Sequence, residues 1–403
     1  MKILFLCKEL PHSKVVGGPI IVYNRIKYLS NHHEIHLLTF YNLGEEKFFP
    51  SLKKYCSRFE AVIFPSPRNF LINVYDYFFS KTPPYMLKLY SSKFKEKFDE
   101  MAKNEKYDCV IAEYSFMGQY LYGNPNIPKE TLRIISVHEC YTDARLKVFR
   151  VKKWSWEGIK AYLHYLRLKK YEFEMYRSVD KILTLTQKDK QILLSYASNL
   201  NVNVVPHGVD VEYFKPPPKP STEKIICFLG NFGHEPNVDA VIYFYREIYP
   251  KIRLKIPDVK LYLVGRNPPP NVRLIAEKDL SVVVTGYVKD VRPYLWASQV
   301  MVVPIRLGGG FRGKTLEGLA SGLPIVSTIL GVEGLEGKNG EHYLVADNPE
   351  EFANHVVAVL EDENLHHKLS LNGRKLSEKF SWQKSVEKLE KILVKLASER
   401  MLQ

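Results

Sequence analysis

Three consecutive glycines, Gly308, Gly309 and Gly310, stand between an apolar run at 301–305 and a segment carrying Arg312, Lys314 and Glu317, with Arg306 just ahead of them. A glycine turn before a helix aims unpaired backbone N–H groups at one point, and neighbouring Arg and Lys add full positive charge there. The chemistry that suits such a segment is the cradling of a polyphosphate. Its ligands would be the amides from Gly308 to Phe311 together with Arg306, Arg312 and Lys314. Gly308 to Thr315 also satisfies the P-loop pattern G-x-x-x-x-G-K-[ST]. Position opposes an NTPase, because a P-loop follows the first strand of its domain, whereas here most of what remains after Pro349 reads as helix. Asp347, closing the apolar run 343–346, is the acidic candidate that keeps this alternative open. A third reading makes Lys314 and Glu317 a plain i,i+3 surface pair worth a few tenths of a kcal/mol, but it leaves the three glycines without a purpose.

The elements around this loop read as a duplicated α/β pattern. Strand-sized apolar runs at 2–7, 35–40, 61–64, 109–113, 134–138 and 182–185 alternate with helix-like stretches, the signature of buried parallel strands in a doubly wound sheet. A last strand at 203–207 leads into the proline-rich stretch 215–220, which is stiff and continues neither helix nor central strand. The pattern then restarts at 225–230, 260–265, 282–285, 300–304 and 324–327. The expected organisation is an N-terminal domain over 1–205, a linker over 206–220, a C-terminal domain over 221–380, and a final helix, 381–403, returning toward the first domain. Two open α/β domains facing across a cleft bind ligands at their strand C-terminal ends.

A chain of 403 residues with 45% hydrophobic content is long enough for two such cores. Neither a spanning helix nor a signal h-region is visible, so a cytoplasmic protein is expected. The cysteines, Cys7, Cys56, Cys109, Cys140 and Cys227, are scattered without C-x-x-C spacing, which favours reduced thiols over a zinc site. The formal charge of +14 calls for an anionic partner. From Arg145 to Arg177, Lys and Arg interleave with Trp154, Trp156, Tyr162, Tyr165 and Tyr171, a composition that suits an anionic membrane surface on the inner face of the cell membrane. The alternative is a surface helix that buries its aromatics in its own domain. Nucleic acid ranks behind both, because no recognition motif accompanies the charge.

Several motifs, weak singly, follow one another in a fixed order. They are Gly17-Gly18 after the first strand, Val137-His138, His207-Gly208-Val209-Asp210 with Phe214, Phe228-Leu229-Gly230, Val264-Gly265 and Thr285-Gly286-Tyr287-Val288. The basic glycine loop, Gly322-Leu323-Pro324-Ile325-Val326-Ser327 and Phe380-Ser381-Trp382 complete the series. In this succession the chain resembles, over nearly its whole length, a GT-B glycosyltransferase of the retaining family 4. The resemblance implies transfer of a sugar from a nucleotide-diphospho-sugar to a glycan or lipid-linked acceptor, with retained configuration and with neither metal nor cofactor. It places the donor at Gly230, Asn231, Tyr287, Val288, Arg306, Gly308, Gly309, Gly310 and Phe311, gives Glu317 the ribose hydroxyls, and sets His138 against the transferred sugar. Arg312 and Lys314 stabilise the departing diphosphate, and Gly17 and Gly18 bring backbone close to the acceptor or to a donor phosphate. The helix of Glu317 should bury Leu316, Leu319, Ala320 and Leu323, leaving the carboxylate turned away from that core. Two departures stand out. The first Glu of the family's E-x7-E pattern is Gly309 here, and the cations that relatives carry after Gly230 are replaced by Asn231, Phe232, Gly233 and His234. A non-catalytic nucleotide- or glycan-binding scaffold is the remaining alternative.

Overall fold

The computed structural model describes residues 1–13, 17–66, 79–153, 155–219, 221–308 and 310–402. Contacts divide the chain into two compact units, one formed by residues 1–206 with 385–403 and the other by 207–384.

The first unit holds seven parallel strands: β1 (Lys2–Cys7), β2 (Glu34–Tyr41), β3 (Arg58–Ile63), β4 (Cys109–Glu113), β5 (Leu132–Val137), β6 (Lys181–Thr184) and β7 (Val202–Val204). Their order is β3-β2-β1-β4-β5-β6-β7. β7 is shorter than the apolar run implied, ending ahead of Pro206, whose nitrogen has no hydrogen to donate to a ladder. Helix α1 (Gly18–Leu29) lays Val22, Ile26 and Leu29 on the sheet face formed by Ile3, Phe5, Ile35, Leu37, Cys109, Ile111 and Ile134. Helices α2 (Tyr141–Lys152) and α3 (Trp156–Arg177) pair with one another, and Leu168, Phe173, Met175 and Tyr176 of α3 enter the core of the opposite face.

The second unit repeats the plan with six parallel strands, β8 (Ile225–Leu229), β9 (Lys260–Val264), β10 (Val282–Gly286), β11 (Val300–Val303), β12 (Ile325–Ser327) and β13 (Leu344–Val345). Their order is β10-β9-β8-β11-β12-β13. Residues from His207 onward group with this unit: Val209 bridges Ser381, and Val209 and Phe214 pack on its core. Helices α4 (Glu235–Tyr243) and α5 (Gly313–Ala320) follow β8 and β11. The last helix, α6 (Trp382–Met401), starts in the second unit, and its Val386, Leu389 and Leu393 belong to the core of the first.

Both sheets reverse their strand order between the first strand and its far-side neighbour, at β1/β4 and at β8/β11. Crevices at such switch points, beyond the strand C-termini, are where open α/β sheets bind ligands.

Candidate active site

At the switch point of the second unit, β8 delivers Gly230 and Asn231, and β11 delivers the glycine loop. Gly308 and Gly310 take φ of +86° and +84°, a left-handed conformation that a side chain would strain. Phe311 stacks on His207 at 5.3 Å, and His207 leans on Trp382 at 4.9 Å, so the three rings tie the loop to both ends of the unit's sequence. Arg312 caps α5, and its Nη2 lies beside Gly308. Gly309 falls outside the described residues.

Lys314 does not sit on the surface as the partner of Glu317. Its Nζ donates to Asn237 Oδ1 at 2.6 Å and lies 4.4 Å from the centre of the Phe228 ring. Asn237 Nδ2 donates in turn to the Asn231 carbonyl at 2.8 Å, joining the β8 turn to the lysine. Arg306 differs from the expectation of an open cation. Asp239 on α4 grips its guanidinium through two bonds, 2.7 and 3.2 Å long, and the Tyr243 ring lies 3.9 Å from its centre. Its charge is thus largely answered by Asp239 within the protein. Leu316, Leu319, Ala320 and Leu323 are buried as expected of α5, yet the carboxylate of Glu317 is not in open water either. Val288 packs against the unit's core, whereas Tyr287 is 76% exposed, and neither is joined to the glycine loop by a described contact.

Desolvation sets the titration of this cradle. Burial, aided by the positive charge of Arg312, lowers the Lys314 ammonium to about 7, and burial raises the Glu317 carboxyl to about 7 against the pull of Lys314. The sign for ligand binding follows. A diphosphate favours the charged lysine, so its complex holds that proton to higher pH than the free protein does. Affinity for a diphosphate is therefore expected to fall with rising pH above about 7, by up to roughly tenfold per pH unit, with protons taken up on binding. Calorimetry in buffers of different ionisation enthalpy measures that uptake, and Lys314→Met should remove the lysine's share of it.

The NTPase alternative requires a free Thr315 hydroxyl and an acidic partner for a metal. Thr315 is buried and donates its hydroxyl to the Gly331 carbonyl at 2.8 Å, while Asp347 accepts from the Ile329 amide at 3.0 Å. Both are committed to holding the β12 connection.

In the first unit, Gly17 and Gly18 open α1. A Cβ on Gly18 would lie 1.2 Å from the Tyr114 hydroxyl, so this position requires glycine for close packing. Tyr114, at φ +73°, donates to Glu9 Oε1 at 2.8 Å and stacks on His138 at 4.0 Å. His138 follows β5 and is bonded through Nε2 to Glu113 Oε2 at 3.0 Å. Glu113, fully buried at the end of β4, also accepts from Arg25 Nη1 at 2.7 and 2.9 Å. Neither Arg25, Glu113, Asn237 nor Asp239 was marked by sequence reasoning. The available signals were slight: a charge closing an apolar central strand, an arginine inside the apolar stripe of α1, and polar residues in the first turns of the helix after β8.

The basic aromatic segment is divided between two environments. Trp154 lies outside the described residues. While the second half of α3 buries Leu168, Glu172, Phe173, Met175 and Tyr176, its first half exposes Trp156, Ile159, Leu163 and Leu166 at helical spacing, and Val151 of α2 is exposed as well. Tyr162 stacks among Phe149 and Tyr165. No helix among the described residues is long and apolar enough to cross a membrane.

Residues 16–213 match the family model described as Glycosyltransferase Family 4, and residues 223–362 match the model described as Glycosyl transferases group 1. An uncharacterized 44.6 kDa protein in the cps region of Klebsiella pneumoniae is 21% identical over 367 residues, covering 88% of this chain and 90% of that one. Sucrose-phosphate synthase from Thermosynechococcus elongatus superposes with a TM-score of 0.70 at 16% identity, covering 99% of this chain and 100% of the other. A TarM variant from S. aureus, solved with fondaparinux, α-GlcNAc-glycerol and UDP, gives a TM-score of 0.68 at 14% identity, covering 97% and 99%.

Proposed function

Because the chain belongs to the GT-B glycosyltransferases, we propose that it moves a sugar from a nucleoside-diphosphate donor to a glycan or lipid-linked acceptor, retaining the anomeric configuration and needing no metal. The observation that carries this reading is the glycine loop running into α5 with Arg312 and a desolvated Lys314 at its amino end. As the sugar–phosphate bond breaks, negative charge grows on the leaving diphosphate. Fixed cations and amides in a site of low dielectric stabilise that charge more in the transition state than in the ground state. Glu317 accepts the ribose hydroxyls and His138 meets the transferred sugar. The departing phosphate oxygen takes the proton of the incoming hydroxyl on the same face of the ring, so that no protein nucleophile is required. UDP is the first donor nucleotide to try, given the UDP bound in the TarM relative.

The decisive experiment incubates the protein with UDP-, GDP-, ADP- and dTDP-sugars in excess EDTA and measures nucleotide release. Release from one donor class in chelator is expected. A reaction that needs added Mg2+ would remove the metal-independent reading, and silence across donors and acceptors would favour the binding scaffold.

We place the acceptor side at a membrane surface. Beside the exposed stripe of α3 stand the exposed Lys153 and Lys160, whereas Lys152 is paired with Glu157 and the half-buried Arg167 donates to the Ser80 carbonyl, so apolar insertion and attraction to anionic headgroups act together, at about 1 kcal/mol for each cation near the surface. Sedimentation with phosphatidylglycerol vesicles should exceed that with phosphatidylcholine vesicles. Trp156→Ser combined with Leu163→Ser should weaken binding at least tenfold, since each side chain removes about 1.5–3 kcal/mol of apolar burial. Equal binding of the double variant would detach this face from the membrane.

A further inference from the structure

His138 is the end of a buried polar chain whose other members have no assigned part in the reaction. Glu113 and Ser136 are register partners on the neighbouring strands β4 and β5, and the sheet face that they extend is the one covered by α1. Arg25 projects from α1 onto both: its Nη1 donates to the two Glu113 oxygens and to Ser136 Oγ at 2.7 Å. Arg25 is 2% exposed and Glu113 fully enclosed. A buried ion pair of this kind is weak evidence for stability, because apolar residues of the same volume often serve as well or better. Its retention beside a histidine therefore asks for another purpose.

We propose that Arg25 and Glu113 are positioning residues that fix the tautomer of His138, so that its neutral ring offers Nδ1 as a hydrogen-bond acceptor to a hydroxyl of the transferred sugar. The donor in the His138–Glu113 bond must be Nε2–H, because Arg25 holds Glu113 as a carboxylate that only accepts. Among the described residues Nδ1 has no hydrogen-bond partner, and the Tyr114 ring stacked on the imidazole fixes its plane. The groups facing the ring favour the neutral form on balance. Burial and the charges of Arg25 and Lys8 oppose protonation more strongly than Glu113 promotes it, and the ring titrates below its ordinary value. Burial alone would raise the Glu113 carboxyl, but Arg25 and His138 together bring it down to about 2. Glu113 stays ionised through neutrality and the ring is biased toward its neutral form, so the arrangement acts through orientation. It rests on the reading that His138 meets the donor sugar.

The tautomer is measured by nitrogen chemical shifts of His138 in the free wild-type protein at neutral pH, independently of any sugar. An Nε2–H ring is expected, and an Nδ1–H ring overturns the inference. Turnover is compared among His138→Ala, Glu113→Gln, and the paired Arg25→Met/Glu113→Leu variant, which leaves no lone buried charge. In the pair the Nε2–H preference should be lost, with kcat lower by at least about tenfold and donor KM changed by less than about threefold. Glu113→Gln, whose amide oxygen still accepts from Nε2–H, should retain the tautomer and lose less. If His138→Ala is impaired while the folded pair turns over normally, positioning by Glu113 is wrong, and should the pair misfold, the wild-type tautomer measurement alone still decides. If His138→Ala itself is fully active although the ring is Nε2–H, the fault lies in placing His138 at the sugar.

Discussion

Replacing Lys314 by methionine should lower kcat/KM for the nucleotide-sugar by roughly 10²–10³-fold, the scale seen when one fixed stabiliser of developing charge is removed. Methionine preserves the unbranched stem beside Phe228 but takes away both the positive charge and the bond to Asn237 Oδ1. The loss should appear in kcat as well as KM, because negative charge on the leaving diphosphate is greater in the transition state than in the bound donor. Activity should not vanish, since Arg312 and the loop amides remain. Arg312→Ala is expected to be comparable. Steady-state kinetics in EDTA, beside a melting curve for each variant, separates chemistry from folding. Turnover and affinity preserved within about twofold, an effect below ~0.5 kcal/mol, would move the phosphate site elsewhere.

The largest stability effect is expected from Arg25→Met, at about 3–5 kcal/mol, because Glu113 would be left as a buried charge without its cation. Its pH dependence has a definite sign. In the native protein the Glu113 carboxyl is held down to about 2. The stability it contributes is therefore complete above the unfolded carboxyl range and is lost progressively as pH falls from that range through about 2. Without Arg25, burial dominates and raises the folded value above the unfolded one. The variant should then regain stability relative to wild type as pH falls from 8 toward 5, where Glu113 can take a proton. Urea unfolding at the two pH values measures this, and a penalty below about 1 kcal/mol at pH 8 would contradict it.

What could be read from the chain alone divides along a physical line. Strands buried on both faces in a parallel sheet are nearly continuous apolar runs, so β1, β4, β8 and β11 stand out in the sequence with their bounds close to those observed. The glycine loop was equally plain, because positive φ and a cluster of cations both demand particular residue types. The answering charges were not legible. Asp239 lies far from Arg306 in sequence and Glu113 far from Arg25, and such pairs depend on which helix covers which strand end. The same limit explains Lys314 and Glu317. Their spacing on a helix suggests a surface pair, whereas Asn237 and Phe228, supplied by other elements, draw the lysine inward. His138 was visible as a strand-end histidine, but its carboxylate partner emerged only when β4 and β5 were side by side.

Helix α6 has a practical corollary for anyone dissecting the molecule. The polypeptide leaves the first unit at residue 206 and re-enters it at 385, and Val386, Leu389 and Leu393 help to fill that unit's interior. A stop codon after residue 206 would therefore yield a fragment with a gash in its apolar centre, prone to aggregate. An autonomous version needs residues 385–403 spliced on through a short artificial tether, or a circular permutation that makes the two pieces contiguous.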